Sequence, residues 1–533
     1  MKKYIILILI ILFSSQISFS NTIDYDYKDY DTYTLKNFDI FYNGELILDS
    51  KFDFNNDSID DNILAFKNYG TGGFLDVYVV DGSKEDFTLL FNKTEIYKGK
   101  IKLLDKKIII EYPTSLNNSI SSLEISKETI FYKESEIQSI QNTYIWYPEA
   151  IKSDTVYENP SKEILEQKFD AVGISMGIPP VILKAIALTE SGMRQFKNGN
   201  PIISWDGGYG IMQITPTASQ IQNGEYNIEK LKYDIDYNIK CGAIILLRKW
   251  GYAFSSRPVI PKINNSDPSI LENWYFAIWA YNGWSESNNP NMIPYKFPSW
   301  TKTYAYQERV YEFMESYYNQ KTNTFSANEL PENGLPNSNN TYYLYDTHPI
   351  NLLDQYQNNM FIARENLSLR DINLNKLSTI SKGNLINVLS EPILLNGYFR
   401  AYIQDTTTNE KGYVAINWLD YIPNYIEGLK WKNNFSDISL SKKWNISLNG
   451  FVSLESFVDN FSLWNIEGNK YYKEDISIKC LSQSNNLSTF EIAPPFSYYK
   501  DQSTYIGIID SNLKDIDNNS LKKDTYFIFD CIK

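Results

Sequence analysis

The sequence predicts a multidomain α+β protein, an all-α core flanked by β-rich regions. Three observations carry this. The chain has 533 residues, more than one hydrophobic core usually serves. Residues 155–321 place apolar side chains at helical spacing, whereas 21–150 and the chain beyond 361 read as short strands cut by Asn, Asp and Gly clusters. A stretch at 322–360, carrying Pro331, Asn333-Gly334 and Pro336, has the composition of a linker.

Taken in order, residues 1–20 come first. Lys2 and Lys3 precede an apolar run from Tyr4 to Phe13, and Ser18-Phe19-Ser20 offers small residues where a signal peptidase reads. This is the pattern of a secretory signal peptide, too short for a comfortable membrane span. No Cys follows the cut, so no lipoprotein anchor is expected. No other segment is long and apolar enough to cross a bilayer. The mature chain is therefore expected outside the cytoplasm, in a periplasm or at the cell wall, with no stable membrane span.

Residues 21–150 read as a β-rich domain. Phe38 to Tyr42, Leu75 to Val80 and Lys107 to Tyr112 are strand-like, and Tyr69-Gly70-Thr71-Gly72-Gly73 reads as a turn. No chemical motif stands out there.

The helical region starts with Ser161, a cap for a helix bearing Leu165, Phe169 and Val172. Pro179-Pro180 opens the next helix, which carries Ile182, Ala185, Ile186 and Thr189 on one stripe and ends at Gly192. Glu190 thus falls in the last turn of an apolar helix. The negative end of the helix dipole and the apolar neighbours both disfavour its charge. Its pKa should exceed the usual value of about 4.3, which suits a general acid. Taken alone, Glu190 reads as an ordinary surface residue near a helix end.

Its company shifts the balance. Asp206-Gly207-Gly208-Tyr209-Gly210-Ile211-Met212-Gln213-Ile214-Thr215-Pro216 forms a glycine-rich turn through which backbone can approach a ligand. Ile211 and Ile214 read as core, Met212 and Gln213 as groove lining. Leu271, Trp274, Tyr275 and Ile278 make a helical stripe that ends in Ala280-Tyr281-Asn282-Gly283. Tyr306, Val310, Phe313 and Tyr317 mark a last helix. Both stripes read mainly as core packing.

Five pieces in this order carry a resemblance: Glu190-Ser191, Gly210 to Pro216, Asn238-Ile239 with Gly242, Ala280-Tyr281-Asn282, and Tyr306-Gln307-Glu308-Arg309-Val310. The region resembles the soluble lytic transglycosylase (SLT) domain, which is similar to goose-type lysozyme. The resemblance spans roughly residues 160–320, and departs from the pattern at Met193 to Trp205 and at Ser255 to Ser269. It implies cleavage of the β-1,4 bond between N-acetylmuramic acid and N-acetylglucosamine in peptidoglycan glycan strands, leaving 1,6-anhydro ends. Glu190 would be the single acid/base. Met212 and Gln213 would contact sugar, Tyr281 and Asn282 would pack or hydrogen-bond near the cleaved bond, and Tyr306 would orient Glu190. Gly210 and Ser191 would shape the site.

A lysozyme-like hydrolase is the nearest alternative. An inverting one needs a second carboxylate roughly 6.5–9.5 Å from the first. Asp206 is the best sequence candidate, with Asp234 and Asp236 behind it, although Asp206 reads as a turn residue and Glu286 as solvated. A non-catalytic wall-binding protein is the third reading, against which the intact Glu190 argues.

Residues 361–424 resemble a bacterial SH3-like wall-binding domain, through Asn366 to Asp371, Ile380 to Gly383 with Leu385 to Leu389, Gly397 to Tyr402, Lys411 to Val414, and Trp418-Leu419. The resemblance implies an SH3-like barrel that holds wall peptide or glycan. A barrel without a ligand fits the residues as well. Residues 425–533 read as a β-rich C-terminal domain, with Tyr526 to Phe529 as a buried strand. Cys480 and Cys531 both read as strand residues, and export would permit them to pair. Cys241 reads as a buried free thiol.

Composition excludes several classes. The net charge of −14 argues against a nucleic-acid binder, which needs a basic surface. Residues 155–325 balance 16 basic against 16 acidic side chains, so the acidity lies in the flanks. One histidine, His348, and three cysteines cannot build the usual zinc sites. No metal and no organic cofactor are implied.

Overall fold

The computed structural model describes residues 22–23, 31–35, 38–42, 44–114, 123–147, 157–297, 300–353, 360–421, 435–467, 470–484, 487–495, 498–517, 519–521 and 525–531. The signal-peptide residues 1–20 lie outside this set. Among the described residues no helix is long and apolar enough to cross a membrane.

Residues 44–146 form two antiparallel four-stranded meanders. The first runs Gly44–Phe52, Asp61–Asn68, Leu75–Val80 and Leu89–Ile96; the second runs Lys100–Leu104, Lys107–Pro113, Leu123–Lys133 and Glu136–Trp146. Ile63, Ala65, Leu75, Val77 and Val79 of the first share one apolar cluster with Ile108, Ile110 and Ile130 of the second. Residues two apart point to one face of a strand, so this alternation decides which side is buried. The turn at 69–74 joins the second and third strands of the first meander.

The helical body follows. Helices α1 (Lys162–Ser175), α2 (Pro180–Ser191), α3 (Ala218–Gln222), α4 (Ile228–Tyr233), α5 (Ile235–Gly251), α6 (Tyr275–Asn282) and α7 (Tyr306–Tyr318) pack around it. Ser161 caps α1, and Gly192 ends α2 in the left-handed conformation at φ 63°, both as the residue types require. Leu271–Trp274 is a 3-10 turn leading into α6, whose eight residues are all buried. Helix α6 is therefore the central rod of the body, which explains why it shows no polar face.

The stretch read as a linker is packed instead. Phe325 stacks on Phe276 with ring centroids 5.3 Å apart. Leu330 and Leu344 are buried in the helical core, and Thr341–Tyr342 pairs in parallel with Lys262–Ile263. Glu272, fully buried, accepts from the His348 backbone N–H at 2.9 Å and lies 2.7 Å from its Nδ1. Pro and Asn content signalled irregular backbone correctly, but the aromatic and leucine side chains between them anchor it.

Residues 360–421 give the strands that the SH3-like pattern predicts, in ladder order Asn366–Arg370, Lys411–Ala415, Tyr398–Asp405, Leu385–Val388, Met360–Ala363 and Leu419–Tyr421. They do not make the expected closed barrel. Among the described residues the path ends on Thr22–Ile23, which pairs in parallel with Asn366–Leu367, and on Leu419–Tyr421, which pairs with Phe361–Ala363. The unit does not hang on a tether: its Ile386, Tyr398, Ile403 and Trp418 belong to the same core as the helices. Trp250 Nε1 donates to the Gly397 carbonyl at 2.9 Å, and Asn417 Nδ2 to that of Met176 at 2.7 Å.

Residues 435–531 build a five-stranded and a three-stranded sheet with a short helix, α8 (Leu454–Asn460), around a separate core. Thr525–Cys531 is a strand with Ile528 and Phe529 buried, as expected. The disulfide is not formed: Cys480 and Cys531 are free. Cys480 lies in the three-stranded sheet and Cys531 in the five-stranded one, so strand character alone did not bring the thiols together. Cys241 is buried and free; burial pushes its thiol up to about 12.

Candidate active site

Glu190 ends α2 where its apolar stripe meets the glycine turn. Only part of its side chain reaches the surface, and protein surrounds it on every side at longer range. Burial therefore pushes its carboxyl up to about 7; hydrogen bonds from Tyr306 and Thr71, and the charge of Lys98, pull the other way. The Tyr306 hydroxyl donates to Oε1 at 2.7 Å, and the Thr71 hydroxyl donates to the same oxygen at 2.7 Å. Tyr306 is the first residue of α7, so the contact between α2 and α7 aims the phenol.

The glycine turn is organised from beneath by two amides. Gln195 and Asn238 are completely buried. Gln195 Oε1 accepts from the Ile211 N–H at 2.8 Å, and its Nε2 donates to the carbonyls of Leu231 and Lys232 at 2.8 Å each. Asn238 Oδ1 accepts from the Met212 N–H at 2.9 Å, and its Nδ2 donates to the carbonyls of Tyr209 and Leu231. Gly210 has φ 69°, and a Cβ there would collide with both amides. A glycine is required on both grounds. Ser191 ties the end of α2 to this turn by donating to the Ile211 carbonyl at 2.8 Å.

The other expected contact residues sit near Glu190 but face inward. Met212 is fully buried and packs against Gly242. Gln213, at φ 50°, folds its amide back onto the Gly210 carbonyl at 2.8 Å. The Tyr281 hydroxyl donates to the Met212 carbonyl at 3.1 Å, which locks α6 to the turn. Asn282 donates to Thr71 Oγ1 at 3.4 Å and accepts from Asn288 at 3.3 Å. Met212 and Gln213 therefore hold the turn's shape in this structure and do not line an open groove.

Asp206 is not a free second carboxylate. Its side chain has no exposure and pairs with Lys98 Nζ at 2.9 Å, while Ser204 Oγ donates to it at 2.6 Å. Burial opposes its charge, but Lys98, Lys67 and the Ser204 hydroxyl outweigh this and hold the carboxyl below its usual range. Asp234 caps α5 through the Tyr237 N–H, and Asp236 pairs with Lys168 at 2.9 Å. Glu286, expected to be solvated, is half-buried and accepts the Tyr295 hydroxyl at 3.1 Å. Among the described residues no group of three or more His, Cys, Asp or Glu could hold a metal ion.

Sequence reasoning missed the amino-terminal β region's share of this site. Thr71 and Lys98 both come from it. Its turn reaches α6 through backbone: the Thr71 N–H donates to the Tyr281 carbonyl at 2.9 Å, and the Gly72 N–H to that of Asn282. A Cβ on Gly72 would strike the Asn282 carbonyl oxygen. Lys249 Nζ donates to the Tyr69 carbonyl, and Ser285 Oγ to Glu95. The one available signal was three glycines flanking a threonine, which marks a close backbone approach as well as a turn.

Set beside known proteins, residues 169–292 match the family model described as the transglycosylase SLT domain. The match holds Glu190, the glycine turn, Asn238 and the Tyr281-Asn282 pair, and stops short of α7. No curated protein matches the chain. The matched segment, under a quarter of the chain, is thus similar to glycan-cleaving enzymes that act on peptidoglycan, and the bulk of the β-rich sequence has no counterpart in this match.

Proposed function

We propose that this protein is an exported peptidoglycan lytic transglycosylase in which Glu190 is the sole acid/base. In its protonated form Glu190 gives a proton to the glycosidic oxygen between N-acetylmuramic acid and N-acetylglucosamine, and the C1–O bond breaks. The resulting carboxylate then takes the proton of the muramic 6-hydroxyl as that oxygen bonds to C1. The ring closes as a 1,6-anhydro sugar, the acid is regenerated and no water is consumed. The substrate's own hydroxyl takes the part that a second carboxylate and water play elsewhere.

The observation that carries this reading is the pairing of a carboxyl poised near neutrality with a neighbouring carboxylate that is already spoken for. Glu190 is anchored through one oxygen and tuned to about 7. Asp206 is sealed in an ion pair with Lys98, away from the water that an inverting hydrolase would activate. Ser191, Gly210, Met212, Gln213, Tyr281 and Asn282 would then act by shaping the walls around Glu190. The unit at 361–424 would be an SH3-like module that presents the body to wall peptide.

Mass spectrometry of digested sacculi tests the reading. The expected fragments end in anhydro-muramic acid, one water lighter than hydrolysed ones. Glu190→Gln should release none while staying folded, with an unfolding midpoint no lower than that of the wild type. Reducing muramic ends, or undiminished release by Glu190→Gln, would overturn it.

A further inference from the structure

Two hydroxyls converge on one oxygen of Glu190. Tyr306 and Thr71 each donate to Oε1 at 2.7 Å, and among the described residues no hydrogen bond reaches Oε2, which is not a buried orphan either. In a carboxylic acid the oxygen that already accepts two donors is the carbonyl oxygen, so the proton belongs on the other. The acidic proton therefore sits on Oε2, the oxygen left to the cleft.

Tyr306 comes from the helical body, but Thr71 comes from the amino-terminal β region and is held there firmly. Its side chain is nearly closed off, at 3% exposure. The turn that bears it is fixed by the Thr71 and Gly72 N–H donors to the last carbonyls of α6, by Lys249 on the Tyr69 carbonyl, and by the Lys98–Asp206 ion pair. Gly70, whose Cβ would lie 2.8 Å from the Asn282 oxygen, and Gly72 permit this approach. Such a contact is made by design of the backbone and not by a loose side chain reaching across.

We propose that Thr71 is a positioning residue of the active site: together with Tyr306 it anchors Oε1 of Glu190 and so aims the proton-bearing Oε2 at the glycosidic oxygen. The catalytic centre is then composite, since the helical body alone supplies only one of the two anchors. This deepens the proposed function and rests on it.

The test compares Thr71→Val, which keeps the shape and loses the donor, with Thr71→Ser, which keeps the donor, in the full chain. On isolated sacculi, Thr71→Val should lower kcat by about 10- to 100-fold with KM within about twofold, the size of effect a misaligned acid gives. The descending limb of its kcat/KM profile should move to higher pH, because the lost donor favoured the carboxylate. Thr71→Ser should stay within about threefold of wild type. Thr71→Ala, which adds no volume, replaces the valine variant if that one fails to fold. Unchanged kcat and pH profile, a serine variant as impaired as valine, or a valine variant faster than wild type would overturn the proposal; the last would mean that the turn shuts the site. If the wild type makes no anhydro product, the functional reading fails, and the anchor is decided by carbon-13 carboxyl NMR. There Glu190, assigned by loss of its signal in Glu190→Gln, should titrate higher in Thr71→Val and normally in Thr71→Ser; an unmoved midpoint overturns the anchor.

Discussion

At the scale of single residues the site depends on how one carboxyl is taken out of water. Burial raises Glu190 to about 7, so the protonated acid that kcat/KM requires is lost as pH rises through that value. Cleavage should be steady below about pH 6 and fall tenfold per unit well above the midpoint, which a pH–rate series on sacculi measures. Tyr306→Phe removes a donor to the ionised form, so this limb should move to higher pH while kcat drops. Stability follows the same sign. A carboxyl whose folded pKa lies above its unfolded value stabilises the fold at low pH and loses that contribution between about 4.5 and 7. Glu190→Gln should therefore be the more stable protein at pH 8, by about 1–2 kcal/mol once cleft water is allowed for, and show little difference at pH 4; thermal melts at both values check it. Glu190 was legible as a carboxyl in the last turn of an apolar helix, whereas Tyr306 read from its spacing only as core and was set beside Glu190 by the resemblance. Thr71 was not, since no local pattern links it to a residue more than a hundred positions away.

At the scale of elements the glycine turn is the part the sequence described best and interpreted least well. Its glycines were read as letting backbone approach a ligand; at Gly210 the close approach the structure shows is to Gln195 and Asn238. Hydrophobicity placed Met212 in a groove because alternation says which residues face together, not which side is solvent. Its packing on Gly242 answers that question. Gly210→Ala should cost about 2–4 kcal/mol, because it combines a left-handed φ with a collision against two satisfied amides; chemical denaturation gives the value. Asn238→Leu leaves the buried Met212 N–H without a partner, while the Leu231 and Tyr209 carbonyls keep their second donors from Gln195 and the Ile214 N–H, so about 1–3 kcal/mol is expected there. In both variants the turn should loosen from the end of α2, so glycan release should fall more than the stability loss alone explains.

At the scale of the whole molecule, the strands of residues 360–421 were read from a strand-rich pattern and an SH3-like resemblance, neither of which says how the sheet docks. Ladders are local patterns, but which surface a sheet buries depends on partners elsewhere, here Trp250 and Phe254 of the helical body. A shared core implies shared unfolding, so calorimetry should show the helical body and this unit melting as one. Residues 435–531 have a larger core of their own and share a smaller one with this unit, where Trp464, Ile506 and Ile528 meet Ile362 and Leu385, so any second transition they give should overlap the first. The amino-terminal region is joined through backbone hydrogen bonds to α6, through aromatic contacts such as Tyr97 on Trp300 and Trp146 on Trp205, and through charge. Lys98 and Asp206 form a pair whose acid has no exposure, and breaking such a pair leaves an uncompensated buried charge worth about 3–5 kcal/mol. Lys98→Met should therefore destabilise strongly, while Lys98→Met with Asp206→Asn, which removes the stranded charge as well, should recover a large part of the loss. A double-mutant cycle by denaturant melts measures this coupling. Lys98 also donates its backbone N–H to the Gly72 carbonyl at 3.1 Å, so the single variant should speed amide exchange in the 69–74 turn, and with the Thr71 anchor loosened glycan release should slow even in the fraction that stays folded.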